Sequence, residues 1–399
     1  MGAPKTPDRI AHRSRYIMAV AAYSRTDLEV ITNSPPQIHC QEGTDAWTNN
    51  WAPLIEQARW APSGDNGQPW RIKPGHTAET AWLALDRNQP LGFLDFNGEA
   101  SRMAIGSFLE NLRLTASQYG SAIEIANISD TADDVYSLQL NKTSIPGLSP
   151  DPLALHVKDR HSNRKKQDRV KLAPHLLDSM QRQGNCTDGV HTIFCSEQST
   201  IRKIAHAVSL ADRVRFMQEQ CHKEFYQKLF WTHQETEVGF SVDTFEISRF
   251  EKLALKATEN FRMLRFADKC FRMSYLAARA AKKQVIHSSA VGAIVGNLEA
   301  ENSWLNVGSA LQRVWLQSAS LGLGFQVLAV APILSRQFRR AGGERFTSRE
   351  RKKLASVNSL LQEIFGSSDE VAIMFRVGTA SPASVRAGRL PWHQLIESL

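Results

Sequence analysis

The sequence predicts mixed α and β structure in two tandem halves, and three observations carry that expectation. Residues 105–120 reappear in outline at 307–322, a shift of 202 positions that superposes Gly106 on Gly308, Ser107 on Ser309, Leu109 on Leu311, Leu114 on Leu316 and Gly120 on Gly322. Each copy has apolar residues at helical spacing and ends on a glycine suited to a helix C-cap. Each then enters a strand-like segment, Ala122–Ile128 and Phe325–Val330. The shift is close to half of the 399 residues, so helix followed by strand is a unit used twice.

The other elements come in chain order. Near the start, Arg13 and Arg15 precede a short apolar stretch, Tyr16–Tyr23, which lacks the length and cleavage site of an export signal; the opening Met-Gly-Ala-Pro-Lys-Thr fits an acylation pattern only loosely. Trp51–Trp60 reads as a helix running into a loop, Ala61–Trp70, rich in Pro, Gly and Asn. Ile72 and Ala81–Leu85 read as short strands. Residues 141–154 hold Pro146, Gly147, Pro150 and Pro152 and read as the linker between a first half, 1–150, and a second, 151–399. Long helical stretches follow at Thr200–Trp231 and Thr244–Ala281, separated by a loop with Gly239, and then a strand at Val371–Val377. These helices have no counterpart in the first half, so 211–281 reads as a helical lid insertion, with Phe225, Phe230, Trp231 and Phe240 expected to cover a ligand.

Composition limits the function classes. Hydrophobic residues at 42% and charged residues at 22% allow a large core and exclude a disordered or collagen-like chain. The longest apolar run, Leu321–Leu334, is broken by Gly322, Gly324 and Pro332 and is shorter than the roughly 18–20 residues a membrane span needs. Five scattered cysteines (Cys40, Cys186, Cys195, Cys221, Cys270) without Cys-x-x-Cys or zinc-spaced histidines point to a reducing cytoplasm and to no metal site. The net charge of +8 suits a phosphate-bearing ligand, and as charge spread along the chain it marks neither a nucleic-acid nor a membrane partner.

Three segments carry candidate chemistry. Pro62-Ser63-Gly64-Asp65-Asn66-Gly67-Gln68-Pro69-Trp70 sets a hydroxyl and two amides between prolines, and amides that both donate and accept match the edge of a polar heterocycle. The same composition also makes an ordinary surface turn. In Arg160-His161-Ser162-Asn163-Arg164 an extended backbone would put Arg160, Ser162 and Arg164 on one side, two guanidinium forks and a hydroxyl for a phosphate; a solvated basic run is the alternative. Arg386 and Arg389, flanking Gly388, add two cations or form a basic tail. His287, Glu301 and Tyr275 are available as acids or bases, though each reads more simply as structural, and no catalytic residue is assigned.

The loop resembles the Pro-Ser-x-x-Asn-x-Gln-Pro-Trp signature of the nitroreductase family of flavin enzymes, and Arg160–Arg164 and Val385–Pro391 resemble its two basic phosphate contacts. Ala331-Pro332-Ile333-Leu334 resembles the segment beside the isoalloxazine ring. The resemblance implies an α+β fold of two nitroreductase-like halves, each a mainly antiparallel sheet flanked by helices, joined as an intramolecular pseudo-dimer. It also implies FMN, with NAD(P)H as co-substrate, an oxidoreductase acting on a small nitro, quinone, enone or pathway compound, or a flavin-binding protein without turnover. Family members carry the arginines before the Pro-Ser loop; here the loop comes about a hundred residues earlier. One composite site per chain follows from that order. Pro62, Ser63, Asn66 and Gln68 of the first half and Arg160, Ser162, Arg164, Pro332, Ile333, Leu334, Arg386 and Arg389 of the second would hold the flavin. The reciprocal loop position, 184–189, lacks the Gln-Pro-Trp, and Arg13–Arg15 lies too far upstream to supply a second phosphate contact. Trp70 fits core packing as well as a ring contact.

Overall fold

Two four-stranded antiparallel sheets share one strand order. The computed structural model describes residues 46–129, 136–232, 235–300, 302–341, 343–366 and 369–397; Arg13, Arg15, Tyr16–Tyr23, Cys40 and Glu301 lie outside them. In the first half, α1 (Ala46–Ala58) leads to β1 (Trp70–Pro74) and β2 (Thr80–Leu85), then α2 (Glu99–Gln118), β3 (Ser121–Ser129) and β4 (Ser137–Ser144), with sheet order β1-β2-β4-β3. In the second, α3 (Pro174–Gly184) leads to β5 (Val190–Cys195), and β8 (Ala290–Gly296), α9 (Ser303–Ser320), β9 (Gly324–Val327) and β10 (Glu370–Gly378) complete a sheet of order β5-β8-β10-β9. Helix, strand, strand, helix, strand, strand is the order of the first half and, once the helical segments inserted after β5 and after β9 are set aside, of the second; the fold is α+β.

The repeated helices cross each other at the repeated residues. A Cβ on Gly106 would run into the Leu305 carbonyl, and one on Gly308 into the Met103 carbonyl, so only glycine lets α2 and α9 approach this closely. Ser107 Oγ donates to the Gly308 carbonyl at 2.8 Å and Ser309 Oγ to that of Gly106 at 3.1 Å. Gln312 Nε2 donates to Asn111 Oδ1 at 2.7 Å, and Arg313 reaches Glu110 at 2.7 Å and Asp151 at 2.8 Å. Leu305 is buried in the core of the first sheet and Met103 in that of the second. Gly120 and Gly322 follow the two helices at φ of +62° and +66°, the left-handed cap expected of them.

The C-terminal tail returns to the first half. Ile396 bridges Ile72, Glu397 N–H donates to the Ile72 carbonyl at 2.9 Å, and Leu395 is fully buried in the first core. The tail thereby carries Arg386 and Arg389 back toward the Ser63 loop.

Several boundaries differ from those expected. Strand β4 runs to Ser144, so the connection is the shorter 145–151 stretch. Strand β9 ends at Val327 and Val330 opens helix α10 (Val330–Arg340), which is followed by α11 (Ser348–Phe365). The two long helical stretches are broken: α4 (Gln198–Phe216), α5 (Glu219–Lys228), a two-residue parallel pairing of β6 (Leu229–Phe230) with β7 (Phe240–Ser241), then α6 (Arg249–Ala257), α7 (Phe261–Phe271) and α8 (Met273–Ile286). Helices α4 and α8 pack together, and α4 packs on α10 and α11, with Ala211 and Val214 buried in that core. The lid proper is what stands between α4 and α8.

Candidate functional site

The Ser63 loop leaves α1 where Trp60 and Pro62 end the helical spacing, and it is shaped by left-handed backbone at Asp65, Asn66 and Gln68. Non-glycine residues rarely adopt that conformation outside constrained sites. Ser63 Oγ stabilises it by accepting from the Gln68 N–H at 3.0 Å. Asn66 and Gln68 are buried, and Pro62 and Ser63 are half-buried. Trp70 is core: it is fully buried against Phe108, with ring centroids 5.0 Å apart.

Three of the four predicted arginines meet at Trp60, the last residue before the loop. Arg386 and Arg389 lie over its ring at 5.4 and 5.7 Å, joined by Arg59 at 5.1 Å. Arg160 donates to the Trp60 carbonyl at 2.9 Å and lies over Trp315 at 4.3 Å. Arg389 also donates to the Ala61 carbonyl at 3.1 Å, and Arg386 to that of Lys158. Cations on indole faces are attracted by the ring quadrupole, which helps assemble charges that otherwise repel.

Arg160 is 4% exposed, and among the described residues no carboxylate pairs with Arg160, Arg386 or Arg389. Burial, reinforced by Arg389 and Arg386, holds Arg160 well below the ordinary guanidinium range. Burial with Arg386 and Arg59 lowers Arg389 to about 9, against a pull from Glu235 in the other direction. Buried polar atoms without partners surround the same place: Arg160 Nε and Trp60 Nε1 as donors, Asn66 Oδ1 as acceptor and the Thr236 hydroxyl. Buried charges are normally paired, so a cluster of this kind is complementary to an anion with a polar body.

Arg164 stands apart from that cluster. It lies over Phe245 at 5.4 Å and donates to the Thr244 carbonyl at 3.2 Å. Burial lowers it, with Asp65 and Glu246 acting against that shift. Arg160 and Arg164 do not present one shared face, because 157–173 is irregular rather than an extended strand. Ser162 is half-buried between them. Pro332, Ile333 and Leu334 occupy the first turn of α10, which packs on α4, α11 and β10; Leu334 is fully buried there.

The lid reaches the loop through its backbone. The Glu237 carbonyl accepts from Gln68 Nε2 at 2.7 Å and Asn66 Nδ2 at 3.1 Å, and a Cβ on Gly388 would approach the Thr236 carbonyl to 3.2 Å. Gln68 Oε1 accepts the Leu390 N–H at 3.0 Å. Phe225, Phe240 and Phe245 form the lid's own small core, with centroids 5.3–5.6 Å apart, whereas Phe230 and Trp231 are exposed. Of the acid–base candidates, Tyr275 is exposed between Arg213 and Arg272, and His287 bonds the carbonyl one turn back in its own helix.

Sequence reasoning passed over Arg59, Trp60 and Arg376. The first two adjoin the loop, and their proximity to it was the available signal. Arg376 is fully buried within an otherwise apolar strand, donates to the carbonyl of Lys165 and to Gln326, and is lowered to about 10 by burial and Arg164. A lone cation inside Ile373–Val377 is legible as an anomaly without any structure.

No family model matches the chain. An uncharacterized protein of Mycobacterium tuberculosis (strain CDC 1551 / Oshkosh), MT1398, is 23% identical over 360 residues, covering 86% of this chain and 48% of its own length. The chain thus spans about half of that relative. Solved structures that align with this chain include FMN-binding nitroreductases. The nitroreductase with bound FMN from Bacteroides fragilis is 11% identical, with a TM-score of 0.33, over 60% of this chain and 97% of its own. The FMN-dependent nitroreductase NfnB from Mycobacterium smegmatis, in complex with NADPH, is 12% identical, with a TM-score of 0.35, over 61% of this chain and 96% of its own. At those scores the likeness carries no argument about the site, which stands on its own geometry.

Proposed function

We propose that the chain is an FMN-dependent oxidoreductase holding one flavin between its halves. One observation carries the reading: the loop Ser63–Gln68 of the first half meets Arg160, Arg386 and Arg389 of the second at Trp60, and among the described residues the buried Arg160 has neither a carboxylate partner nor a partner for Nε. The residues fit FMN. Arg160, Arg386 and Arg389 would take the phosphate, and Ser63, Asn66 and Gln68 the polar chain and ring edge. Ser162 would support the phosphate end. The shared strand order and the reciprocal crossing of α2 and α9 support the tandem, pseudo-dimeric reading, with the second loop shortened to 185–189.

A bound flavin supplies two-electron hydride chemistry, with NAD(P)H as co-substrate and a small nitro, quinone, enone or related compound as the other partner. The protein's share is orientation and charge. The arginines neutralise the phosphate in a dry setting, the loop's strained backbone is fixed before binding, and the lid excludes water.

A second reading, flavin binding without turnover, is favoured by one contact: Glu237 already occupies the amide donors of Asn66 and Gln68. For those amides to meet a ring edge, the segment around Thr236–Gly239 must withdraw, and a lid that stays closed would seal the flavin instead. Anaerobic mixing of FMN-loaded protein with NADH or NADPH separates the two. The enzyme's flavin bleaches with a nicotinamide, whereas a sealed flavin yields only to dithionite. Failure to bind FMN at all would refute both.

A further inference from the structure

Helices α6 and α7 repeat one surface pattern at a spacing of 13 residues. Arg249, Phe250, Lys252, Leu253, Ala254 and Lys256 align with Arg262, Met263, Arg265, Phe266, Ala267 and Lys269. At 100° per residue the apolar members form one stripe and the basic members an adjacent stripe on each helix. Apart from Lys252, which pairs with Asp243, neither stripe turns into the protein. None of the nine residues of α6 is buried, and of the eleven of α7 only Leu264 is. Phe250 is 84% exposed, Leu253 67% and Phe266 60%. Soluble proteins seldom leave apolar side chains in such a row uncovered.

Charge decides what covers them. The two helices and the turn between them, 249–271, contain six Lys and Arg against three Asp and Glu, and 272–283 adds four more basic residues and no acidic one. A second copy meeting this face about a two-fold axis would set that charge against itself. A nucleic acid would satisfy the basic stripe and leave the aliphatic one in water. An occupant with anionic groups above an apolar layer satisfies both at once.

We infer that α6 and α7 lie on the surface of an anionic lipid bilayer, with Phe250, Leu253, Met263 and Phe266 entering the acyl boundary and Arg249, Lys256, Arg262, Arg265 and Lys269 meeting the headgroups. This revises the expectation of no membrane partner. It is peripheral attachment, since among the described residues no helix is long and apolar enough to cross a membrane. It does not depend on the flavin.

Sedimentation of the full chain with vesicles tests it. The protein should pellet with phosphatidylcholine vesicles containing phosphatidylglycerol and remain in solution with phosphatidylcholine alone. Arg262→Gln and Arg265→Gln should each weaken binding about fivefold, the effect of one basic residue near an anionic surface. Phe250→Ser with Phe266→Ser should abolish pelleting while far-ultraviolet circular dichroism stays unchanged, because both side chains are exposed. Cys270 lies on the apolar stripe and is exposed. An environment-sensitive label there, with the other four cysteines replaced by serine, should shift to the blue on anionic vesicles. Equal binding to both vesicle types, or none to the anionic ones, overturns the proposal. So does a label at Cys270 hidden in a concentration-dependent dimer, or displacement of bound protein by a single-stranded oligonucleotide with no shift of the label on vesicles.

Discussion

The arginines around Trp60 are not equivalent, and their differences are measurable. A guanidinium keeps its proton in a protein, so the strain of burying Arg160 is relieved by an anion and not by neutralisation. Arg160→Ala and Arg389→Ala should each weaken FMN by about 2 to 5 kcal/mol, the cost of breaking a desolvated charge pair, and hardly affect riboflavin, which has no phosphate. Arg164→Ala should behave differently, loosening the lid at Thr244 and Phe245 and weakening both ligands alike. Competitive titration of FMN against riboflavin with the three variants separates these roles. The pH dependence has a fixed sign. A phosphate gains its second negative charge at about pH 6, so FMN affinity should rise from about pH 5 to 7 while that of riboflavin stays flat. The guanidinium groups keep their charge across that range, so the phosphate alone sets the profile. A flat profile for both flavins would remove the phosphate from this cluster. At this scale the sequence disclosed residue types and their grouping into segments. It did not disclose that Arg164 would turn from Arg160, because alternation holds only in a strand and 157–173 is irregular.

Helix α2 and helix α9 meet where the repeat is most nearly perfect, at Gly106-Ser107 and Gly308-Ser309. A repeat read as a pair of amphipathic helices says nothing of mutual contact, yet the glycine-serine pairs were its clue, since a helix interior gains nothing from either residue unless another backbone comes close. Gly106→Ala or Gly308→Ala should push the helices apart and cost about 1 to 3 kcal/mol or more, as overpacking does. Because the loop and the arginines belong to opposite halves, the same substitutions should lower FMN content. Denaturant unfolding and flavin absorbance of the purified variants measure the two effects; normal stability with full FMN would refute the crossing as described. The insertion was the least legible element. Apolar periodicity continued through Gln218 and Leu229, but it could not show that Leu229–Phe230 pairs with Phe240–Ser241. The start of α6 was readable in Ser248 and Glu251, which form a capping box: Ser248 Oγ accepts from the Glu251 N–H at 3.3 Å and the Glu251 carboxylate accepts from the Ser248 N–H at 2.8 Å.

For the whole molecule, the site reading predicts FMN near one per chain. Released flavin quantified against protein should give that ratio, and a value near two would contradict a single composite site. The two-sheet architecture was visible in the duplicated helix–strand unit, and the meeting of loop and arginines in their unusual order along the chain. The return of the C-terminal tail to β1 was not visible, because Leu395 and Ile396 form no pattern beyond a short apolar pair, and the pairing they make is non-local. The crossing of α2 and α9 also has a kinetic meaning. In an assembly of separate chains such a contact is bimolecular, and dilution dissolves it together with any site that spans it. Here both helices are on one covalent chain, each meeting the other at an effective concentration set by the connection and not by the sample, of order millimolar for a short flexible tether. Cofactor retention should therefore be independent of protein concentration down to the flavin's own dissociation constant, and a cell could keep this protein at very low copy number without losing the site.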